Sequence, residues 1–297
     1  MKRNGKNKWI AVALTLSLLF FWCSPCWTDS NKTSLWRIFS GRGTVYLMGS
    51  VHFLNQESYP LPPGFEQAYQ ESSTVVFETD IGSMNTPEVQ NQMLRLAFLP
   101  EGDSMQNHLS SGTYRELENR LLQMKIEPAR FDRLKPWMAA QTIAMVQLIK
   151  RGFHPQYGVD QHFFQKAKQD GKAIHALESV AFQIELVSSL ERYDQDMVID
   201  KTLKEMDILD TFIKELYQAW RTGDCASLGK LMNRSLDGFP DLYDRFITVR
   251  NRRWLPPILD YVENEQNVLV IVGAGHLCGK DNLIGMLAEA GVAVEQI

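Results

Sequence analysis

The chain is poor in cysteine. Of its 297 residues only four are cysteines, and Cys23 and Cys26 stand in the first 27. Beyond residue 27 there is no Cys-x-x-Cys pair, which excludes a paired-cysteine zinc site from the body. Cys225 and Cys278 remain. They could pair in an oxidising compartment, but spacing alone cannot bring their Cα atoms together. A surplus of either charge is missing too: 31 Lys and Arg stand against 35 Asp and Glu, for a net charge of -4. No nucleic acid or other polyanion is therefore expected as a partner. There is no low-complexity segment and no solenoid repeat period. The Gly-x-Ser-x-Gly elbow of serine hydrolases and the His-Glu-x-x-His helix of zinc proteases are absent. Ala274 to Lys280 imitates a phosphate loop, but Ala274 stands where the first glycine is needed and Asp281 replaces the Ser or Thr that would hold Mg²⁺. Gly273-x-Gly275 falls short of a dinucleotide fingerprint.

What is present begins with an N-terminal address. Met1 to Lys8 is basic, Ile10 to Trp22 is free of charge, and Ser24-Pro25-Cys26 offers small residues at the spacing a signal peptidase reads. Residues 1–27 thus read as a signal peptide. Pro25 is unfavourable at the cut, and Trp9 to Trp27 approaches the roughly 20 residues that span a bilayer, so an uncleaved membrane anchor is the alternative. Either way the body is expected outside the cytoplasm, periplasmic or extracellular, with a possible membrane tether. Residues 28–35 read as a linker and 36–297 as the folded domain.

Along the body, Trp36 to Phe39 and Thr44 to Met48 flank Gly41-Arg42-Gly43 as a hairpin. Thr74 to Asp80 and Lys172 to Glu178 read as strands ending in carboxylates. Val268 to Val272 is a β-branched run of the kind buried on both faces of a sheet. Between these lie helical patterns: Thr113-x-x-Glu116 as a capping box, an all-round apolar helix from Trp137 to Ile149, Asp160 as an N-cap, and Pro256-Pro257 opening a new helix. Val292 to Ile297 reads as a last strand. The pattern predicts an α/β (α+β) fold. Its central mixed sheet is built from N- and C-terminal strands, with flanking helices and a helical insertion.

Two of the strands share a device. Thr44 to Met48 is followed by Gly49-Ser50-Val51-His52, and Val268 to Val272 by Gly273-Ala274-Gly275-His276. Histidines delivered past strand ends lie where open α/β sheets bind ligands. One such histidine alone reads as an ordinary strand end; a matched pair, with carboxylates on neighbouring strands, suggests a divalent metal held by His52, His276 and Glu78. Glu178 is the second choice of carboxylate, and either glutamate could be a general base. Arg250 and Asn251, in a basic cluster that otherwise reads as a solvated face, are candidates to hold a substrate carboxylate or oxyanion. His108, His154 and His162 read as surface or packing residues, and His175 as core.

In this order the motifs resemble the TraB/GumN family, to which the Tiki metalloproteases are related. The resemblance rests on Gly49 to His52, Val76 to Asp80, Gly158-Val159-Asp160, Leu177-Glu178, Arg250-Asn251 and Gly273 to His276. It implies a central sheet with flanking helices, a site formed by both histidines and, for Tiki-like members, peptide-bond hydrolysis dependent on manganese or cobalt; zinc or iron would suit the same donors. The expected activity is a metal-dependent peptidase acting on a peptide or small protein. The alternative is a module that captures a peptide or haem in the same pocket without turnover.

Overall fold

In the computed structural model, residues 32–264 and 267–297 are described. The signal or anchor expected at residues 1–27 lies outside them. Among the described residues no helix is long and apolar enough to cross a membrane.

The hairpin forms as expected: β1 (Leu35–Phe39) and β2 (Thr44–Ser50) pair antiparallel, with Trp36 opposite Leu47. Leu35 is already in the strand and Ser34 is buried, so the predicted linker runs one residue into the sheet. β2 then pairs in parallel with β5 (Val268–Gly273), β5 with β3 (Thr74–Thr79), and β3 with β4 (Ala173–Glu178). The two-residue β6 (Glu295–Gln296), shorter than predicted, pairs antiparallel with β1. The order is β4-β3-β5-β2-β1-β6, a mixed sheet. β5 sits in its middle, as its composition requires: Val268, Leu269, Val270, Ile271 and Val272 are each at most 1% exposed. Burying side chains of this size contributes roughly 1.5–3 kcal/mol apiece.

One helix, α1 (Pro63–Glu71), lies between β2 and β3. Four separate β3 from β4: α2 (Pro87–Ala97), α3 (Ser111–Gln123), α4 (Pro136–Lys150) and α5 (Val159–Asp170). Between β4 and β5 come α6 (Val180–Ser188), α7 (Gln195–Asp207), α8 (Leu209–Arg221), α9 (Cys225–Leu236), α10 (Pro240–Tyr243) and α11 (Val249–Asn264). After β5 come α12 (Ala274–Leu277) and α13 (Leu283–Glu289). The sheet and its covering helices share one apolar core. The helical insertion has a second core of its own, where Leu117, Leu121, Trp137, Ile143, Ile199 and Leu203 pack.

Four local expectations are corrected. Ser110, not Thr113, caps α3: its side chain accepts from the Thr113 N–H, which places Thr113 inside the first turn. α4 buries Trp137, Ala140 and Ile143 but leaves Met145 45% and Ile149 39% exposed, so it is covered on one side only. Pro256 and Pro257 lie within α11 rather than opening a helix. An interior proline costs about 3 kcal/mol, and here Trp254 and Ile258, fully buried on either side, hold the helix through it. His175 is exposed, with its Nδ1 3.0 Å from the Tyr261 hydroxyl. Cys225 and Cys278 are joined in a disulfide, which ties the first residue of α9 to the segment just after α12.

Candidate functional site

The four parallel strands all end at one edge. Because β5 is inserted between β2 and β3, the residues leaving β2, ending β3 and following β5 converge there. His52 comes two residues after β2, Glu78 is the penultimate residue of β3, and His276 sits in the single turn of α12. His52, Glu78, Arg250, Gly273 and His276 line one cleft of about 1120 Å³. Two imidazoles from distant parts of the chain therefore face a shared cavity.

Glu78 is held at both oxygens. Its Oε1 accepts the Gly273 N–H at 2.6 Å and its Oε2 accepts from Arg250 Nη2 at 2.5 Å. A Cβ on Gly273 would lie 3.2 Å from that Oε1, so a glycine here lets the backbone come close enough to donate. Burial alone would push the Glu78 carboxyl up. The Arg250 guanidinium, the two imidazoles and the Gly273 N–H outweigh it and bring the pKa down to about 2.

Arg250, on α11, is only 7% exposed along its side chain, so the solvated-face reading fails for it. Its Nη2 also donates to Glu178 Oε1 at 2.6 Å, and its Nε lies 3.1 Å from the same oxygen. The guanidinium rests 4.5 Å over the Trp254 ring. Trp254 Nε1 and Gln183 Nε2 complete the shell of Glu178 at 3.1 and 3.0 Å. Arg250 Nη1 then reaches His276 Nε2 at 3.0 Å.

Each histidine has its Nδ1 fastened by an oxygen. The Asn251 amide nitrogen donates to the carbonyls of His276 and Asp281, so its Oδ1, 2.7 Å from His276 Nδ1, is the acceptor and that nitrogen carries the hydrogen. His276 is neutral: burial, joined by the positive charges of Arg250 and His52, drives its pKa down to about 3 against the pull of Glu78. His52 Nδ1 lies 3.1 Å from Asp160 Oδ1. The ring is 59% exposed to the cleft, and the Asp160 charge raises its pKa to about 9. Asp160 is therefore not a helix cap. Gly158 takes the N-cap position of α5, and Asp160 in the first turn turns to His52. The Val159 N–H donates to the Val51 carbonyl, and a Cβ on Gly158 would come 2.3 Å from the His52 oxygen. Only glycine lets α5 start that close.

Of the predicted residues, His52, Glu78, Arg250 and His276 face the cleft, while Glu178 and Asn251 stand behind it. Asn251 is fully buried and its amide is committed, so it orients His276 instead of meeting substrate. Arg250, shared between two carboxylates, neutralises them rather than waiting for a substrate anion. Sequence reasoning missed Asp160 as the His52 partner, along with Trp254 and Gln183. The fourfold step from Arg250 to Trp254, which puts both on one helix face, was the available signal for Trp254.

The donor chemistry suits a divalent cation. With Nδ1 of each imidazole held by an oxygen, Nε2 is the atom a cation would take, in place of the Arg250 contact at His276 and of the proton on His52, and Glu78 is ionised beside them. Among the described residues no three His, Cys, Asp or Glu side chains stand together in an arrangement that could hold a metal ion. Arg250 Nη1 is the group in contact with His276 Nε2, which itself lies 3.9 Å from Glu78 Oε1.

Fold and site together define an α/β protein with a paired-histidine, carboxylate and guanidinium centre at the carboxyl edge of its parallel strands. The chain belongs to the TraB/PrgY/gumN family, whose model matches residues 34–296. It is similar to the "Uncharacterized protein YbaP" of Escherichia coli (strain K12), with 25% identity over 254 residues, covering 83% of this chain and 89% of the relative. The protein of the same name from Shigella flexneri matches with the same identity and coverage. No solved structure matches significantly.

Proposed function

We propose that the protein is a metal-dependent hydrolase that cleaves peptide bonds outside the cytoplasm. The observation carrying this reading is the pair of imidazoles, each fixed at Nδ1 by an oxygen, flanking an ionised Glu78 in one cleft. His52, His276 and Glu78 would hold a divalent cation, with manganese or cobalt suggested by the resemblance to Tiki-like proteases. When bound, such an ion supplies an activated water and polarises the scissile carbonyl. Asp160 and Asn251 hold the two rings in place at Nδ1. Glu78, with a pKa near 2, suits a ligand better than a general base, whose pKa works best near the operating pH. Arg250 keeps the buried carboxylates charged.

One residue favours a second reading, capture of a peptide without cleavage: Arg250 already faces His276 Nε2 through Nη1 and holds both glutamates through Nη2. The deciding experiment incubates the purified protein with a peptide library and Mn²⁺, Co²⁺, Zn²⁺ or Fe²⁺, with chelator as control and cleavage read by mass spectrometry. Cleavage that needs metal and is lost in His52→Ala and His276→Ala supports the hydrolase. Peptides left intact under every metal, while still bound, establish the capture reading.

A further inference from the structure

The cleft does not end at the polar cluster. Leu209, Phe212, Ile213 and Leu216 recur at helical spacing on α8, line the same cleft and are only partly covered by the protein. The C-terminal end of that helix goes deeper, burying Ala219 and Trp220 in the sheet core. An apolar helix stripe normally packs against a neighbouring element. Here Phe212 and Leu216 pack in part against the sheet core, and what the stripe leaves uncovered faces a cavity continuous with Glu78 and His276. At about 1120 Å³ the cleft is somewhat larger than the roughly 300–1,000 Å³ of small-molecule pockets, which suits a stretch of polymer.

The rest of the lining says what kind of polymer. Asp200 and Lys204 of α7, and Ser235 and Asp237 at the end of α9, share the cleft with the apolar stripe. An alkyl chain laid along such groups would displace water and return no hydrogen bond. A peptide carries an N–H and a C=O at nearly every residue and can pair with them while its side chains lie on α8. The polar end agrees. Arg250 is already shared by Glu78 and Glu178, so an anionic lipid headgroup would meet two carboxylates beside a committed cation.

We propose that the α8 stripe is a specificity surface for extended peptides, taking leucine- and phenylalanine-sized side chains on one side of the bond presented to the cluster. This deepens the peptidase reading and rests on it for the word substrate, but binding alone tests it. The full chain in chelator is titrated with a fluorescent, end-blocked heptapeptide of leucine, alanine and phenylalanine, and with the counterpart carrying serine for each leucine and phenylalanine. Anisotropy should show the apolar peptide binding at least tenfold tighter. Phe212→Asp should weaken it at least tenfold, and Phe212→Leu less than threefold. Dodecanoate should fail to compete. Equal affinity for both peptides, no effect of Phe212→Asp, or displacement by dodecanoate at the peptide's own concentration overturns the proposal. Apolar binding through α8 without cleavage under any metal overturns only the peptidase reading. Cleavage with no apolar preference overturns only the α8 surface.

Discussion

Replacing Arg250 by methionine tests the electrostatic centre directly. The side chain keeps its bulk over Trp254, but Glu78 and Glu178, with side chains 12% and 7% exposed, lose their shared cation. Removing one partner of a buried ion pair costs about 3–5 kcal/mol, because the remaining charge stays desolvated. For a domain of this size that is a fall in Tm of roughly 6–20 °C at 2–4 °C per kcal/mol. The sign with pH follows from Glu78. In the parent its pKa is lowered to about 2 from 4.5, so its contribution is full above pH 4.5 and is lost as pH falls toward 2. In Arg250→Met, burial acts without the guanidinium against it and the pKa moves up, so acid relieves the strain. Urea denaturation should therefore show the gap between variant and parent widest at pH 8 and narrower at pH 5. Adding Glu78→Gln and Glu178→Gln to the variant should recover much of the loss. A variant within 1 kcal/mol of the parent at pH 8, or a gap that widens on acidification, refutes the assignment of Arg250 as the neutralising group.

The Cys225–Cys278 bridge spans a sequence separation of 53 residues, for which loop-closure entropy gives about 4 kcal/mol; Cys225→Ser with Cys278→Ser should lower urea stability by an amount of that order, and a change below 1 kcal/mol would show the bridge to be energetically idle. In an NMR titration the His52 ring should change charge near pH 9, and in Asp160→Asn it should fall toward the ordinary 6.5. Since the His52 pKa is raised, its stabilising contribution is present below pH 6.5 and is lost as pH rises through 9, and Asp160→Asn should flatten that alkaline decline. An unmoved His52 titration would show that Asp160 is not its controlling partner.

Much of the scaffold could be read from local chemistry. The run from Val268 to Val272 demanded a doubly covered strand, and the glycines around Arg42 demanded a hairpin; both are properties of short segments. The convergence of His52 and His276 followed from placing strands at both ends of one sheet. Asp160 was misread because a short acid at a helix start can either cap its own backbone or reach outward, and only the approach of α5 to the end of β2 decides which. Arg250 was ambiguous for a similar reason: four adjacent polar residues cover more than one side of a helix, and Arg250 and Asn251 turn inward while Arg252 and Arg253 face solvent. The cleft had no sequence signature, since the apolar stripe of α8 looks the same whether protein or ligand covers it.

The position of β5 also bears on how the molecule is made. Until Val268–Gly273 leave the ribosome, β2 and β3 have no partner between them, and each offers an unpaired backbone edge of the sort that recruits foreign strands. A nascent chain would need shielding for most of its synthesis. It would also lack the paired-histidine cleft throughout, because the strand that closes the gap is the one that delivers His276. The two halves of the cleft thus stay apart until the last central strand slots home.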